Sequence, residues 1–373
     1  MGIKIIIALG HSGFLKDLEI AEEVEDLDIV IGGHSNTFLI NKNSTDEIPE
    51  YPQGPYPTIV RQKSGRKVLV VQAYAYTKYL GKLHLIFDEQ GEIIYYDGEP
   101  ILLNKEIPED PVLLEIVNRY RTDINQIYNE VVGTSLFYLD GDSCRLKECN
   151  LGNFINDAII NFTKQYYKEY SNVNIAITQG GRIRTSINGP DKPFKVTRGD
   201  MVTVIPFSDT LCIMTMNGTI LRQALEHSVA AWRKIDTPGQ FLQYSGVEIV
   251  YDLAKEVGSR IVEAKAICSD CSGLNDILDN LEYKVITSVF LAEGGDGYTM
   301  FDTVPKEIVN YNEVMCAVDY LQKYSPIEPI VSKRINILNE DNIKSAMFLP
   351  SQGKSIKFNT KMFLLLTFFI LYS

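Results

Sequence analysis

"IKIIIALGHSGFLKDLEIAEEVEDLDIVIGGHS", Ile3 to Ser35, holds two short apolar runs that each break at Gly-His-Ser, with a charged segment between them. Continuous apolar runs of this length form buried strands, and Leu15, Leu18, Ala21 and Val24 recur at helical spacing between them. The stretch therefore predicts a β-α-β unit. Both Gly-His-Ser motifs then fall at the carboxyl ends of neighbouring strands, where open α/β sheets place their ligands. His11 and His34, with Asn36 close by, are two of only four histidines in the chain. An imidazole at a strand end, preceded by glycine and followed by serine, suits a divalent metal. Two hydrogen-bonded structural histidines would leave the same pattern, and spacing does not choose between them. His84, in an alternating strand, and His227, in the helical "LRQALEHSV", read as structural.

Outward from this unit, "KVLVVQAYAYTKYLGKLHLIFD" and "EIIYYDG" continue as strands with a turn at Gly91. A helical pattern from Pro108 to Val131 makes a natural bridge between domains. Beyond it, helices are expected at Asn150 to Lys168, Asn217 to Trp232 and Asn312 to Lys323. Strands are expected at Asn174 to Thr178, Thr210 to Met216, Gly246 to Tyr251 and Tyr283 to Val289. Helices and strands alternate only loosely, so the class is α/β and α+β in two domains. The expected divisions are 1–107, the bridging helix 108–131, 132–340 and a tail 341–373.

At 373 residues, 45% hydrophobic and 23% charged, the chain can bury two cores and is not disordered throughout. Its formal net charge of −12 argues against a nucleic-acid partner, which would demand clustered Lys and Arg. Any phosphate must be met locally, by a few cations or a metal. Four of the six cysteines are grouped, Cys144 with Cys149 and Cys268 with Cys271. Zinc needs four soft ligands and a lone C-x-x-C has two, so short-loop disulfides are the expected use. Cys212 and Cys316 stand alone, and their pairing is open. Sequons at Asn43, Asn161 and Asn217 agree with an oxidising, secretory setting.

"MGIKIIIALG" lacks the charged region, apolar run and cleavage site of a signal peptide and reads as the inside of a domain. Met1 is therefore not expected to be the natural beginning. "MFLLLTFFILYS", Met362 to Ser373, is apolar but shorter than the ~20 residues of a membrane-spanning helix. The polar "QGKSIKFNTK" and small residues around Ser351 and Gly353 precede it. That order matches a signal for a glycosylphosphatidylinositol (GPI) anchor, with a core helix or strand as the alternative.

"ALGHSGF", "IVIGGHSNTFL", "VVQAYAYTKYLGKL", "SCRLKECNLGNFINDA", "VIPFSDT", "LEHSV" and "FLAEGGDGYTMF" resemble, in order and along nearly the whole chain, the 5′-nucleotidase family. Animal ecto-5′-nucleotidases and secreted arthropod apyrases are the nearest in kind. The resemblance implies the C-terminal part of a metallophosphoesterase domain, an αββα sandwich, followed by a mixed α/β nucleotide-binding domain. It implies His11, His34 and Asn36 at a site for two divalent ions, zinc first, with calcium, magnesium or manganese as alternatives. Phe207 and Phe290 would sandwich adenine, at roughly 1 to 3 kcal/mol per stacked base. Asp296 would accept from the ribose hydroxyls, and Arg145 and Arg184 would meet the ribose and phosphate side beside Gln179 and Gly181.

The implied activity is extracellular, metal-dependent release of phosphate from nucleoside 5′-phosphates, whether AMP or ADP and ATP, by a secreted or GPI-anchored enzyme. Adenine nucleotides and nucleosides are the implied partners, and a homodimer is left open. The family's Asp-x-His motif, bridging aspartate and catalytic Asn-His pair have no counterpart in this sequence, so no catalytic residue is assigned. Where the family has Asn-Gly-Gly-Gly-Ile-Arg this chain has "QGGRIR". The added guanidinium of Arg182 suggests a preference for more phosphates. Finally, Arg198-Gly199-Asp200 is an integrin tripeptide if displayed on a mobile loop, or an ordinary turn after an arginine. A non-catalytic module binding nucleosides or a platelet integrin is the alternative function.

Overall fold

A computed structural model of the chain describes residues 3–40, 50–207, 209–234 and 238–343. The Asn43 sequon, Ser208 and the expected anchor signal lie outside them. The chain divides into two compact units: the first runs to Val131 and takes in Thr197–Gly199, and the second holds Val132–Val196, Asp200–Arg233 and the segment from Pro238 onward.

The first unit opens with β1 (Ile7–Leu9), α1 (Phe14–Glu23) and β2 (Ile29–Ile31). Short β3 (Leu39–Ile40) and β4 (Gly54–Pro55) pair with each other before β5 (Thr58–Arg61) and β6 (Lys67–Val71). β1 and β2 are parallel with Ile7 opposite Ile29, giving a sheet in the order β1-β2-β6-β5. β2 and β6 are its interior, and Val30, Val68 and Val70 pack with Ala21 of α1. β1 differs from expectation. Ala8 packs toward α1, while Ile7 and Leu9 alternate onto the opposite face and stay exposed, as does Ile31 of β2 and as do Ile3, Ile5 and Ile6 before β1. Leu15 of α1 and Val24 just after it are exposed as well, while Phe14, Leu18 and Ile20 flank Ala21 against the sheet.

β7 (Tyr79–Phe87) and β8 (Ile93–Leu102) form a long antiparallel hairpin that turns through Gly91. α2 (Pro111–Tyr128) begins where Asp110 caps the amides of Val112 and Leu113 at 2.9 and 3.0 Å, with proline at the first helical position.

The second unit runs β9 (Val131–Ser135), α3 (Asn150–Tyr166), β10 (Ile175–Gln179), β11 (Phe194–Thr197), α4 (Arg198–Val204), β12 (Leu211–Asn217) and α5 (Gly218–Ser228). It continues with β13 (Leu242–Ser245), β14 (Val247–Asp252), β15 (Ile261–Ala266), β16 (Asn275–Asp276), β17 (Glu282–Ser288), α6 (Val289–Ala292), β18 (Lys306–Ile308), α7 (Glu313–Tyr324) and β19 (Ile335–Leu338). The central sheet is β13-β10-β17-β12-β18, in which only β10 and β17 are parallel. A second sheet, β16-β15-β14-β19, and the β9-β11 pair flank it.

Side-chain alternation splits the strands between two cores. Ile175, Ile177, Cys212, Met214 and Val285 face one, shared with Leu221 and Leu225 of α5. Ala176, Ile213 and Ile286 face the other, shared with Ile155 and Ile159 of α3 and Leu321 of α7. The central sheet is thus buried on both faces, which is why its strands read as unbroken apolar runs. Helix starts are fixed by side-chain caps: Asn217 accepts from the Ile220 amide and Asn312 from that of Met315.

Cys144–Cys149 and Cys268–Cys271 are disulfides, and Cys212 and Cys316 are buried free thiols. The Asn161 sequon is no surface loop. It lies within α3, where the Thr163 hydroxyl is buried between the Ile159 carbonyl and the Tyr311 hydroxyl.

Candidate functional site

In the first unit, parallel pairing of β1 and β2 carries His11 and His34 to the same end of the sheet. Their ring centroids lie 5.1 Å apart with the planes at 70°. His34 and Asn36 both adopt left-handed backbone, at φ 74° and 53°. Non-glycine residues seldom do so, and such strain gathers at functional sites. Below them Gln72 ties the loop together, donating to Asp17 at 2.7 Å and to the Gly33 carbonyl at 3.1 Å. Two imidazoles and an amide suit a borderline metal as donors, yet a two-ion centre needs far more. Among the described residues no group of three or more His, Cys, Asp or Glu side chains is placed to hold an ion. Among the described residues His11, His34 and Asn36 by themselves do not make up a dinuclear centre.

In the second unit, β10 ends at Gln179 and turns through Gly180–Arg182. Gln179 is buried, and its Oε1 has no hydrogen-bond partner among the described residues. The Gly181 amide donates to the Gly239 carbonyl at 2.9 Å, and a Cβ on Gly181 would sit 2.6 Å from the Gly239 Cα. Only glycine permits that approach. On its other side the turn meets Asp142–Arg145, so the Arg145 backbone packs on Gly180 with its loop closed by the Cys144–Cys149 bridge. Arg184 reaches back to the Gly181 carbonyl at 2.9 Å. Asp296, in the Gly294–Gly297 turn, brings its Oδ2 to within 3.6 Å of where a Cβ on Gly239 would stand. Arg184 and Asp296 therefore lie at the Gly181–Gly239 contact, while Gln179 and the Arg145 backbone adjoin Gly180 beside it.

Arg182 is not a free cation for phosphate. Its Nε donates to Glu313 at 2.6 Å and its Nη2 to Asp209 at 2.5 Å, and the side chain is 3% exposed. Burial works against its charge, but Glu313 and Asp209 outweigh burial and raise its pKa above the ordinary arginine value. The guanidinium lies 5.0 Å from the centroid of Phe207. The other Asp209 oxygen accepts from the Phe290 amide at 3.4 Å. Arg182 and Asp209 thus link the two phenylalanines, both of which keep exposed rings, at 38% for Phe207 and 46% for Phe290.

A profile of the 5′-nucleotidase C-terminal domain matches residues 129–303. A snake venom 5′-nucleotidase from Macrovipera lebetinus is 38% identical over 359 residues, covering 94% of this chain and 86% of the relative. The chain belongs to the 5′-nucleotidase family. The Homo sapiens 5′-nucleotidase is 40% identical across 90% of this chain and 59% of its own length. A solved 5′-nucleotidase precursor from Thermus thermophilus superposes with TM-score 0.75 at 32% identity, over 91% of this chain and 65% of that one. The chain spans most of the venom relative but about three fifths of the human one.

Within this 5′-nucleotidase chain the integrin tripeptide is not on a mobile loop. Arg198-Gly199-Asp200 is the first turn of α4, Arg198 is ion-paired to Glu130 at 2.6 Å, and Gly199 is buried with its Cα side against Tyr128. Nothing in the sequence marks Asp209 and Glu313 as partners of Arg182, and they lie 27 and 131 residues from it. His84 faces Tyr95 across the hairpin at 5.8 Å, in keeping with a structural role.

Proposed function

We propose that this protein acts outside the cell on nucleoside 5′-phosphates as a phosphohydrolase of the 5′-nucleotidase type, with its second unit holding the nucleoside. The observation that carries this reading is the pair of exposed phenylalanines tied through Arg182 and Asp209, in the same unit as the Gly181–Gly239 contact and Asp296. A purine is flat and apolar, and two aromatic faces recognise it without demanding a sequence of donors. A carboxylate accepts from vicinal hydroxyls, and Arg145 and Arg184 offer guanidinium forks to a phosphate. Two short-loop disulfides support an oxidising compartment. No helix among the described residues is long and apolar enough to cross a membrane.

In the reaction, water adds to phosphorus and the P–O5′ bond breaks. The nucleoside leaves with its 5′ oxygen as a hydroxyl, and phosphate is released. This chain's described residues bind and orient the substrate. His11 and His34 supply imidazoles for a divalent ion, zinc or another, but no step is assigned to them. With Arg182 neutralised by two carboxylates, AMP is the substrate to expect first, and extra phosphates have no added cation to favour them.

The test is phosphate release from AMP, ADP and ATP by the full chain with zinc, before and after chelation, alongside adenosine binding by calorimetry. Release that chelation stops supports hydrolysis. Saturable adenosine binding without release would leave the nucleoside site standing and overturn hydrolysis by this chain. Neither binding nor release would overturn both.

A further inference from the structure

Asp296 occupies an unfavourable backbone conformation, left-handed at φ 51° and ψ 24°, between Gly294 at φ 86° and Gly297 at φ 83°. Within the turn the Gly297 amide donates to the Gly294 carbonyl and the Tyr298 amide to the Gly295 carbonyl, both at 3.2 Å. Glycines add freedom and a left-handed aspartate is only tolerated, so a contact from outside the turn adds to what these two bonds hold.

One such contact comes from His227, in the last turn of α5. Its Nε2 lies 2.8 Å from the Asp296 carbonyl oxygen. The carbonyl can only accept, so Nε2 carries the proton and donates. The imidazole edge meets the ring of fully buried Tyr298 at 4.6 Å and 79°. The Tyr298 hydroxyl donates to the Gln240 carbonyl at 2.6 Å, and the Gln240 amide returns to the His227 carbonyl at 2.5 Å. His227, Asp296, Tyr298 and Gln240 close a ring of contacts around the turn. A Cβ on Gly297 would stand 3.0 Å from the imidazole, so the ring sits directly against the turn's backbone. Gln240 follows Gly239, the residue whose carbonyl receives the Gly181 amide. The same ring therefore joins the glycine contact to the carboxylate.

We propose that His227 is a positioning residue for ribose recognition: its Nε2–H holds the Asp296 turn left-handed and so keeps the Asp296 carboxylate beside Gly239. This rests on the reading that Asp296 receives the ribose hydroxyls. His227 touches no substrate in this scheme. Its effect passes through Asp296, so it alters discrimination at the sugar and leaves the aromatic contacts to the base unchanged.

Calorimetry on the full chain with adenosine and 2′-deoxyadenosine tests this, because a residue that merely stabilises the fold would change both affinities alike. Wild type should prefer adenosine by about 10-fold or more, the value of a hydrogen bond to a charged group. His227→Leu should reduce that preference to within about 2-fold while changing 2′-deoxyadenosine binding less than about 3-fold. His227→Gln, whose amide nitrogen reaches the Nε2 position, should retain the preference. If the leucine variant does not fold, His227→Asn, whose amide stops at the Nδ1 position, takes its place with the same expected loss. Asp296→Asn separates the two ideas. If it abolishes the preference while the His227 variants keep it, the positioning role is overturned and the ribose reading stands. If it leaves the preference intact, the ribose reading fails and the positioning role with it. Equal weakening of both nucleosides in the leucine or asparagine variant would also overturn the proposal.

Discussion

Arg182 and Glu313, 131 residues apart in sequence, form a buried ion pair in which Nε donates to Oε1 at 2.6 Å. Both side chains are almost wholly excluded from solvent, but Arg182 has a second carboxylate in Asp209 whereas Glu313 depends on Arg182 for its charge. Removing Arg182 strands Glu313, and stranding a buried charge costs more than the pair gains. Arg182→Met should therefore destabilise the protein by about 3 to 5 kcal/mol in urea unfolding. Adding Glu313→Leu should return a large part of that loss. A cost below about 1 kcal/mol for the single change would mean that Glu313 takes up a proton or reaches water.

Gln179 offers a different sign. Its Oε1 is buried without a partner, so Gln179→Leu removes an unsatisfied group and should leave folding stability unchanged or slightly raised. Adenosine 5′-phosphate affinity should fall by about 10-fold if the oxygen serves the ligand. Calorimetry and thermal melts read the two effects separately, and unchanged affinity would remove Gln179 from the site.

Gly181→Ala places a methyl group 2.6 Å from the Gly239 Cα, where backbone faces backbone. Neither segment has a flexible side-chain end to yield. Nucleotide binding should drop more than about 10-fold, with loss of about 1 to 3 kcal/mol of stability from overpacking. Wild-type binding by this variant would show that the two loops part without consequence.

Burial pushes the Cys212 thiol up to about 11 and that of Cys316 well above its usual range. Neither forms thiolate near neutrality, and thiolate is the reactive species. Iodoacetamide at pH 8 should label no cysteine in the native protein and two in the urea-unfolded, unreduced protein, as mass spectrometry will count. Four labels without reductant would mean that one disulfide is absent.

Burial raises Tyr244 to about 12 and Tyr251 and Tyr298 well above the ordinary tyrosine range. The unfolded chain loses these phenolic protons first, near pH 10. Stability from their burial is therefore complete below about pH 10 and is lost as pH rises through the folded values, Tyr244 alone accounting for about 2 kcal/mol by pH 12. In an alkaline titration exposed tyrosines such as Tyr51 and Tyr76 ionise first, and a later part of the tyrosinate absorbance should rise together with loss of secondary structure. Complete ionisation before unfolding would place the buried hydroxyls in water.

By itself the sequence determined the mixed α/β class, α3, α5 and α7 with β10, β12, β14 and β17 of the second unit, and the two short disulfides. Those features are local. Apolar period, capping asparagines and closely spaced cysteines act over a few residues, where chain geometry leaves little choice. Burial of β1 was not local. A strand side chain is buried only where another layer covers its face of the sheet, and Ile7 and Leu9 lie on the face opposite α1. The role of Arg182 depended on Glu313 and Asp209, and that of His227 on Asp296, from distant parts of the chain. A charged or titratable side chain takes its function from the partners around it, and only tertiary structure brings those partners within hydrogen-bond reach.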